Sequence, residues 1–473
     1  MSAFKADVDS RTMVVGSTLH GDGVVATEDV ERAGDVLFEE VPSLFIQSLS
    51  NRRDNLICGG CKSFVGSLNM HIDVLTRAIT RQDQEELDAR THCASTSSLG
   101  IGQFPGNKIL SPVVLCSHQC GEVYCCEECR IHHWNDGHCI LCTGCVATED
   151  DSLIEFKVHA VSTNEIFLMI ADLYARVCIK VEKAINEGDT RIPEEIASEQ
   201  LGQYDSYVRQ LWWDAAVAPS DQDPAQLRES LQELVTDSWG LLSSALRLEP
   251  RGLAGVLSAE YMSRTIGMFE QNNVGVRLDS PLAVSAVALE AGNPGNATFS
   301  AAAQLIAQVL EEEGEGDEEW EDEEGDEMEE EEEGEDGAQY CGMVTSSAAT
   351  APSGDTALDT LNSVLDTHGS DNIFPPLDGA AFFMRVCKIN HSCNPNVRVE
   401  YVGQGQGSGT ESESGPRGIQ DGFRAKMVSL RPIADGEELV QSYIDQNLPY
   451  EERLVALQDY GFACSCEKCQ RQE

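Results

Sequence analysis

The chain has 473 residues, 41% of them hydrophobic, and a formal net charge of -49 at pH 7. This length allows two or three domains, and the lack of an apolar run of about 18 residues argues against a membrane-spanning helix. The negative charge disfavours direct binding to nucleic acid and favours a basic protein or Lys-rich peptide as partner. The N-terminal residues lack the apolar stretch of a signal peptide. We therefore expect a protein of the nucleus and/or cytoplasm, where its 18 cysteines are metal ligands or free thiols rather than disulfides.

The N-terminal third combines a strand-like segment with a region dense in cysteine. Residues 12–46 alternate between apolar and polar positions, which predicts short β-strands with a glycine turn at 21–23. Residues 58–145 are rich in Cys and His, and the polar stretch 70–110 interrupts them like an insertion. Helical periodicity dominates residues 152–247.

The second half returns to strand patterning and contains a long acidic tract. Residues 264–290 look strand-like, whereas residues 311–336 hold 20 Asp and Glu and no Lys or Arg. This tract and the Gly/Ser/Ala-rich 337–357 cannot bury enough apolar surface to offset their ordering entropy, so we predict disorder. The tract could attract a basic substrate, although a solvated insert that aids solubility is the simpler interpretation.

The C-terminal region is predicted to form a β-hairpin followed by a helix. Residues 397–401 and 422–430 read as strands, joined by a Gly/Ser-rich flexible loop. Residues 450–460 form a short helix before a final cysteine cluster.

The first cysteine cluster offers eight ligands, enough for two tetrahedral zinc ions with Zn–S bonds of about 2.3 Å. An interleaved arrangement assigns Cys58, Cys61, Cys125 and Cys129 to one ion and Cys116, Cys120, His138 and Cys142 to the other. Cys126, Cys139 and Cys145 are interpreted as bystanders, and His132 and His133 as surface residues. The alternatives are an exchange of ligands between neighbours, or a set of reduced, buried cysteines.

The second cluster consists of Cys464, Cys466 and Cys469, and three thiolates need a fourth ligand to close a tetrahedral site. Cys393, in the segment "NHSCNPN" at 390–396, is the natural candidate, which would clamp the chain's end across the Asn390–His391 loop. Cys93 or Cys387 as fourth ligand, or a local site completed by a histidine or water, remain open.

Five segments in this order resemble the SET-and-MYND protein lysine methyltransferases. They are "GDGVVATEDVERAGDVLFEE", the 58–142 cluster with "YCCEEC", "NHSCNPN", "GEELVQSYID" and "YGFACSCEKC". "GMFEQNNVGV" and the segment from "SYIDQNLPYEERL" to the final cysteines are similar to the branch of the fifth mammalian member and its plant trithorax-related relative. The Cys116-x3-Cys120 spacing, where two intervening residues are usual, and the long insertion depart from the finger pattern.

The resemblance implies an α+β fold: a mostly β SET core with a knot-like C-terminal segment, an inserted MYND-type zinc finger, a helical insert and a post-SET zinc site. The implied boundaries are 1–57 for the N-terminal SET part, 58–145 for the finger, 146–262 for the helical insert, 263–449 for the SET core and 450–473 for the post-SET motif. Within the core, 310–357 is the acidic disordered insert and 402–421 the flexible loop.

The implied reaction is transfer of a methyl group from S-adenosylmethionine to a lysine of a histone or other basic protein, with three zinc ions bound. By resemblance Tyr443 is the catalytic tyrosine and Tyr460 lines the lysine channel. The implied cofactor-binding residues are Gly21, Asp22, Gly23, Asn272, Asn390, His391 and Phe462. Asn272 could equally cap a strand, and the His391 side chain could be structural. A monomer with no membrane contact is expected.

The alternative function is a zinc-finger adaptor of weak or no catalytic activity, which recruits partners through its MYND-like module. Cofactor binding and methyl transfer distinguish the two.

Overall fold

The structure is a computed structural model that describes residues 11–17, 21–66, 113–144, 151–216, 223–272, 274–281, 375–403, 422–460 and 462–472. The predictions for 70–110, 311–336 and 337–357, for Cys93 and Cys145, and for most of the 402–421 loop lie outside these residues. Among the described helices, none combines the length and apolar character needed to cross a membrane.

The described residues mix strands and helices, in agreement with the α+β expectation. The strands are β1 Thr12–Ser17, β2 Gly21–Ala26, β3 Val36–Glu40, β4 Leu44–Gln47, β5 Val114–Leu115, β6 Val123–Tyr124, β7 Val274–Leu278, β8 Leu377–Phe382, β9 Asn390–His391, β10 Val397–Val402, β11 Arg424–Ser429 and β12 Glu438–Gln441. The α-helices are α1 Leu49–Asp54, α2 Glu127–His133, α3 Cys139–Leu141, α4 Ser152–Thr163, α5 Ile166–Asn186, α6 Pro193–Leu201, α7 Trp212–Ala215, α8 Pro224–Ala245, α9 Ala259–Asn272, α10 Tyr450–Ala456 and α11 Glu467–Gln470. Short 3₁₀ turns cover Gly202–Tyr204, Val386–Lys388 and Gln458–Tyr460, and a π-type turn covers Trp134–His138.

Strands from the two ends of the chain pair with one another. The described sheets have the orders β1-β2-β12-β9, β10-β11-β3, β4-β8-β7 and β5-β6. The first three sheets each join an N-terminal strand to a strand that lies more than 300 residues later. The β-core therefore cannot form before most of the chain is present.

The β12–β9 pair places the loop of the "NHSC" segment beside the "GEELVQSYID" segment. The two strands run parallel, with Val440 opposite Asn390 and Gln441 opposite His391. Asn396 fixes the same junction, because its amide donates to the Glu438 carbonyl at 2.8 Å and its oxygen accepts from the Val440 N–H at 2.8 Å. Asn396 is buried, so these bonds satisfy polar groups that water cannot reach.

The helical segment forms its own core against the β4-β8-β7 sheet. Helix α5 buries one long apolar face, and α4 and α8 begin at aspartate caps whose carboxylates accept backbone N–H bonds. The cluster around α5 includes Leu44, Ile46 and Phe382 from the sheet. This packing joins the helices to the β-core.

Two predictions about local structure were wrong. Gly21–Gly23 was predicted as a turn, but all three residues belong to β2, with Ser17 opposite Gly21, and the connection is at 18–20, outside the described residues. Residues 264–272 were predicted as strand-like, yet they form the end of α9, and the strand begins at Val274. Met262, Ile266 and Phe269 are buried at helical spacing, so the period of the apolar positions outweighed the strand signal of the residues that follow.

Candidate functional site

The C-terminal cysteines lie against the "NHSC" loop. The Sγ atoms of Cys393, Cys464, Cys466 and Cys469 all lie within 4.8 Å of one another, and those of Cys393 and Cys469 are 3.5 Å apart. Cys393 is thus the described residue that joins the three terminal thiols. Cys387, the alternative, instead accepts a hydrogen bond from the Phe383 N–H at 3.2 Å.

The first cluster divides into the two interleaved sets derived from the spacing. One set is Cys58, Cys61, Cys125 and Cys129, and the other is Cys116, Cys120, His138 and Cys142, each with its ligand atoms within 4.8 Å. Helix α2 carries Cys129, while the turn at Trp134–His138, in which Gly137 has a φ of +139°, carries His138. A glycine is required at that φ because other side chains are strained there.

These three groups fit zinc by geometry as well as by donor type. Sulfur atoms bound to one tetrahedral zinc at about 2.3 Å are separated by about 3.8 Å. Cys61 and Cys125 are 3.6 Å apart, Cys116 and Cys142 are 3.8 Å apart, and Cys120 lies 3.3 Å from Nε2 of His138. The described cysteines are free thiols, so no disulfide competes for these sulfur atoms there.

His133 was predicted to be a surface residue, and the structure contradicts this. Its ring is half-buried and stacked on that of His138 at a centroid distance of 4.7 Å. Nδ1 lies 3.0 Å from the hydroxyl of the fully buried Tyr124. His133 therefore holds the ring of a candidate ligand, whereas His132 is exposed as predicted.

Arg453 is a contributor that the sequence analysis missed. Its side chain is buried, Nη1 donates to the Leu448 carbonyl at 2.6 Å, and Nη2 lies 3.8 Å from Sγ of Cys469. Four thiolates around a divalent ion carry a net charge of -2. A guanidinium packed beside them compensates part of that charge, which makes its burial tolerable.

Asn390, Gly23 and Glu438 meet where β9, β2 and β12 lie side by side. Nδ2 of Asn390 donates to Oε1 of Glu438 at 2.7 Å and lies 3.5 Å from the Asp22 carbonyl oxygen. A Cβ placed on Gly23 would lie 2.9 Å from that Glu438 oxygen and 3.2 Å from the Asn390 nitrogen. The absence of a side chain at Gly23 thus lets two polar groups approach the strand backbone.

The Asp22 carboxylate faces the helical segment. It pairs with Nζ of Lys388 at 2.8 Å, and Lys388 also donates to Oγ of Ser206 at 2.6 Å and lies over the ring of Tyr207. The hydrogen bond from Lys388 holds the pKa of Asp22 below its usual value. The helical segment is therefore tied to the strand that carries Gly23, a link that the sequence analysis did not foresee.

Asn272 lies at the end of α9, and its side chain serves local structure. Its amide donates to the Met268 carbonyl at 2.7 Å and to the Val208 carbonyl at 3.3 Å. Asn272 was predicted to be a cofactor ligand or a strand cap, and its role toward a cofactor stays a prediction.

Four aromatic rings pack together, those of His391, Tyr443, Tyr460 and Phe462. The His391 ring lies 5.3 Å from that of Tyr443 and 5.6 Å from that of Phe462, and the rings of Tyr443 and Tyr460 are 5.2 Å apart. Tyr460 and Phe462 are 42% and 40% exposed, respectively. Large aromatic rings that are this exposed at a cleft offer apolar surface to a ligand.

His391 connects Tyr443 to the tail cysteines. Nδ1 accepts the backbone N–H of Tyr443 at 3.0 Å, which leaves the ring proton on Nε2, 3.3 Å from Sγ of Cys393. Burial lowers the pKa of His391 to about 4, consistent with a neutral ring. The side chain thus holds the backbone of Tyr443, and the role of His391 toward a cofactor stays a prediction.

The Tyr443 hydroxyl is held at the inner side of the aromatic group. It donates to the Ile389 carbonyl at 2.7 Å, and the Tyr460 hydroxyl donates to the Tyr443 carbonyl at 3.2 Å. Burial raises the pKa of Tyr443, so its hydroxyl stays protonated at physiological pH. A protonated phenol in a partly buried cleft is a hydrogen-bonding group rather than a base.

Comparison with known proteins agrees with this geometry. The SET domain family matches residues 288–444. That range includes β8 to β12, while β1 to β4, which pair with these strands, lie before it. Strands inside the matched range therefore share their sheets with N-terminal strands outside it.

Similar proteins include one plant enzyme that matches along most of this chain, and a human and a second plant enzyme that each match about a fifth of it. "Histone-lysine N-methyltransferase ATXR2" of Arabidopsis thaliana is 25% identical over 95% of this chain and 88% of its own length. "N-lysine methyltransferase SMYD2" of Homo sapiens is 36% identical over 19% of this chain and 17% of its own length. "Histone-lysine N-methyltransferase ATXR4" of Arabidopsis thaliana is 31% identical over 20% of this chain and 23% of its own length. The chain therefore contains a SET domain and is related to protein-lysine methyltransferases.

Proposed function

We propose that this chain is an S-adenosylmethionine-dependent protein-lysine N-methyltransferase that acts on histones or other basic proteins. One observation carries the proposal: Cys469 lies against Cys393 of the "NHSC" loop, so that the rings of Tyr443, Tyr460 and Phe462 pack around that of His391, the neighbour of Asn390. The SET domain match and the methyltransferase relatives support the same activity.

The polar and aromatic ends of the cleft suit the two ends of the methyl donor. Asn390 and the backbone of Gly21, Asp22 and Gly23 would hold the amino-acid end, and Phe462 with the His391 backbone would hold the adenine. The donor supplies a methyl group on a sulfonium, which is already a good leaving group.

The residues must therefore supply a neutral amine, alignment and exclusion of water. A lysine amine has a reference pKa of about 10.4, and desolvation between aromatic rings favours its neutral form. The Tyr443 hydroxyl, which can donate or accept a hydrogen bond, would orient that amine. The Tyr460 ring would line the channel for the lysine side chain. Asn272 remains a proposed further contact to the donor.

Further parts of the proposal concern the other domains. We infer that 58–145 is a MYND-type finger with two zinc ions, that a third zinc ion closes the post-SET site, and that the C-terminal segment has the knot-like path of the family. The branch of the fifth mammalian member and its plant relative stays a proposal, as do the predicted domain boundaries and a monomeric state. The relatives named as histone-lysine methyltransferases favour a nuclear role beside a cytoplasmic one.

The activity is tested by methyl transfer to protein. Purified chain, S-adenosylmethionine with a labelled methyl group and a mixture of core histones and lysate proteins should yield methyl-lysine in identified peptides by mass spectrometry. Reactions without the chain, or with excess S-adenosylhomocysteine, are the controls. A chain that binds its zinc but neither binds the donor nor transfers the methyl group would support the adaptor instead.

Replacing Gly23 by alanine should weaken donor binding by about tenfold or more. The new Cβ would lie 2.9 Å from a Glu438 oxygen and 3.2 Å from the Asn390 nitrogen, so the ends of both side chains must move away from their present positions. Losing a hydrogen bond of Asn390 to the donor in this way costs about 1–3 kcal/mol. Gly16→Ala is the matched control in β1, because its Cβ would meet only an Asp22 oxygen at 3.9 Å. Calorimetric titration with S-adenosylhomocysteine measures both, and equal affinities of the two variants would contradict the prediction.

A further inference from the structure

The carboxylate of Glu438 lies beside Asn390 and Gly23, and the proposed function assigns it no part in holding the donor. Its Oε1 accepts the Asn390 amide at 2.7 Å. The preceding Glu437 is engaged elsewhere, since it pairs with Arg431 at 2.7 Å and accepts the Ala434 N–H at 3.0 Å. Among the residues that the structure describes, Glu438 itself forms no ion pair, and its side chain is exposed to solvent.

The contact between Glu438 and Asn390 decides which way the carboxamide points. A carboxylate only accepts hydrogen bonds, so it requires the NH₂ end of the amide and repels the oxygen end. The second amide proton is directed toward the Asp22 carbonyl, 3.5 Å away. Both donors of Asn390 are thereby engaged, and the amide oxygen is left as the acceptor.

The position of Glu438 is itself determined by the sheet. In β12, Glu438 lies opposite Val25 and Leu439 lies opposite Val24, while Val440 pairs with Asn390 in β9. The carboxylate approaches β2 at Gly23, where a Cβ would lie 2.9 Å away. The three strands hold Glu438, Asn390 and the Gly23 backbone in one arrangement without help from a ligand.

We propose that Glu438 is a positioning residue, which orients the Asn390 carboxamide so that its oxygen receives the ammonium group of the methyl donor. The inference rests on the proposed function, because it assumes that S-adenosylmethionine binds here with its amino-acid end near Asn390. An ammonium group donates hydrogen bonds and never accepts them, so a reversed amide would oppose it. The contribution of Glu438 is the acceptor atom that fixes the amide.

Binding of two ligands to the purified full chain tests the proposal. S-adenosylhomocysteine has the amino-acid end, and 5′-methylthioadenosine lacks it while keeping the adenosine and sulfur. Glu438→Leu should lower the affinity for S-adenosylhomocysteine by about tenfold, since a hydrogen bond to a charged group typically contributes this factor to binding. The affinity for 5′-methylthioadenosine should change less than about twofold, as expected for a ligand that lacks the ammonium.

A conservative variant separates orientation from charge. Glu438→Gln keeps an oxygen that accepts from the Asn390 amide, so it should retain S-adenosylhomocysteine affinity within about threefold. In an Asn390→Ala background, Glu438→Leu should have no further effect. Glu400→Leu, which removes an exposed strand carboxylate paired with Arg398, is the control.

Several outcomes would overturn the proposal. Unchanged S-adenosylhomocysteine binding by Glu438→Leu, equal weakening of both ligands, or a Glu438→Gln variant as defective as Glu438→Leu each contradicts it. If Glu438→Leu does not fold, the question is decided by the S-adenosylhomocysteine affinity of Glu438→Gln, measured alone and in the Asn390→Ala background. Wild-type chain that binds neither ligand would instead contradict the proposed function as a whole.

Discussion

Replacing Tyr443 by phenylalanine is expected to reduce methyl transfer by about 10²-fold or more, the size of loss that removal of one placed hydrogen-bond donor causes in other enzymes. The hydroxyl is held at 2.7 Å from the Ile389 carbonyl, next to the rings of Tyr460 and His391. Phenylalanine keeps the ring, so the aromatic walls of the cleft stay in place. What is lost is the hydroxyl that we propose orients the lysine amine.

Tyr401→Phe provides the matched control for this prediction. Its hydroxyl also donates to a backbone carbonyl, that of Gly275 at 2.9 Å, and this bond joins β10 to β7. Both variants lose one phenol–carbonyl bond, so each should lower the free energy of unfolding by about 0.5–1.5 kcal/mol. Initial rates with labelled S-adenosylmethionine measure activity, and thermal unfolding measures stability. A Tyr443→Phe variant with the activity of Tyr401→Phe would rule out the assigned role.

A companion expectation concerns the donor affinity of the same variant. Because the Tyr443 ring and its contacts with His391 and Phe462 remain, S-adenosylhomocysteine should bind Tyr443→Phe within about threefold of wild type. A loss in turnover with donor affinity retained places the hydroxyl at the amine. A parallel loss of affinity would place it at the donor.

The grouping of the candidate zinc ligands could be predicted from the sequence because short spacings limit where paired thiolates can point. Cys58 and Cys61 lie on one tight turn, and Cys125 lies just before the helix whose first turn carries Cys129, so the two thiols of each pair are held close together. The fourth ligand of the tail site followed from counting donors, since three thiolates leave a tetrahedral position open.

The parts that the sequence did not predict depend on contacts between distant strands. Glu438 reads as an ordinary exposed residue in a strand, and only the pairing of β12 with β9 and β2 places it on Asn390 and Gly23. Lys388 likewise becomes a link to the helical segment through Ser206. No periodicity or spacing signal identifies such residues, because their partners lie far away in the sequence.

Some errors had local causes. Gly-x-Gly was interpreted as a turn because glycines favour turns, but here Gly23 is needed in a strand for close approach of Glu438. His133 looked like one of several surface histidines, and its burial became visible only with the fold of the finger, which stacks it on His138.

Loss of the third zinc site is expected to slow methyl transfer strongly and to have little effect on the stability of the β-core. Cys393 is the ligand that joins the tail to the "NHSC" loop, and its Sγ lies 3.3 Å from Nε2 of His391, whose other nitrogen accepts the Tyr443 backbone N–H at 3.0 Å. The thiol, the imidazole and the tyrosine therefore form one hydrogen-bonded series. Displacing its first member disturbs the last.

Cys393→Ser should lower bound zinc by one ion per chain and slow methyl transfer by about 10–100-fold, the usual effect of disturbing groups around a metal site. Without the ion the tail loses the binding free energy that orders it, and with it the placement of Tyr460 and Phe462. Cys139→Ser is the control, because that half-buried sulfur belongs to none of the three ligand groups. Elemental analysis counts the zinc, hydrogen exchange follows residues 462–472, and labelled donor measures the rate. A variant that loses one zinc ion and the tail's protection but keeps full turnover would show that the metal site has no part in the reaction.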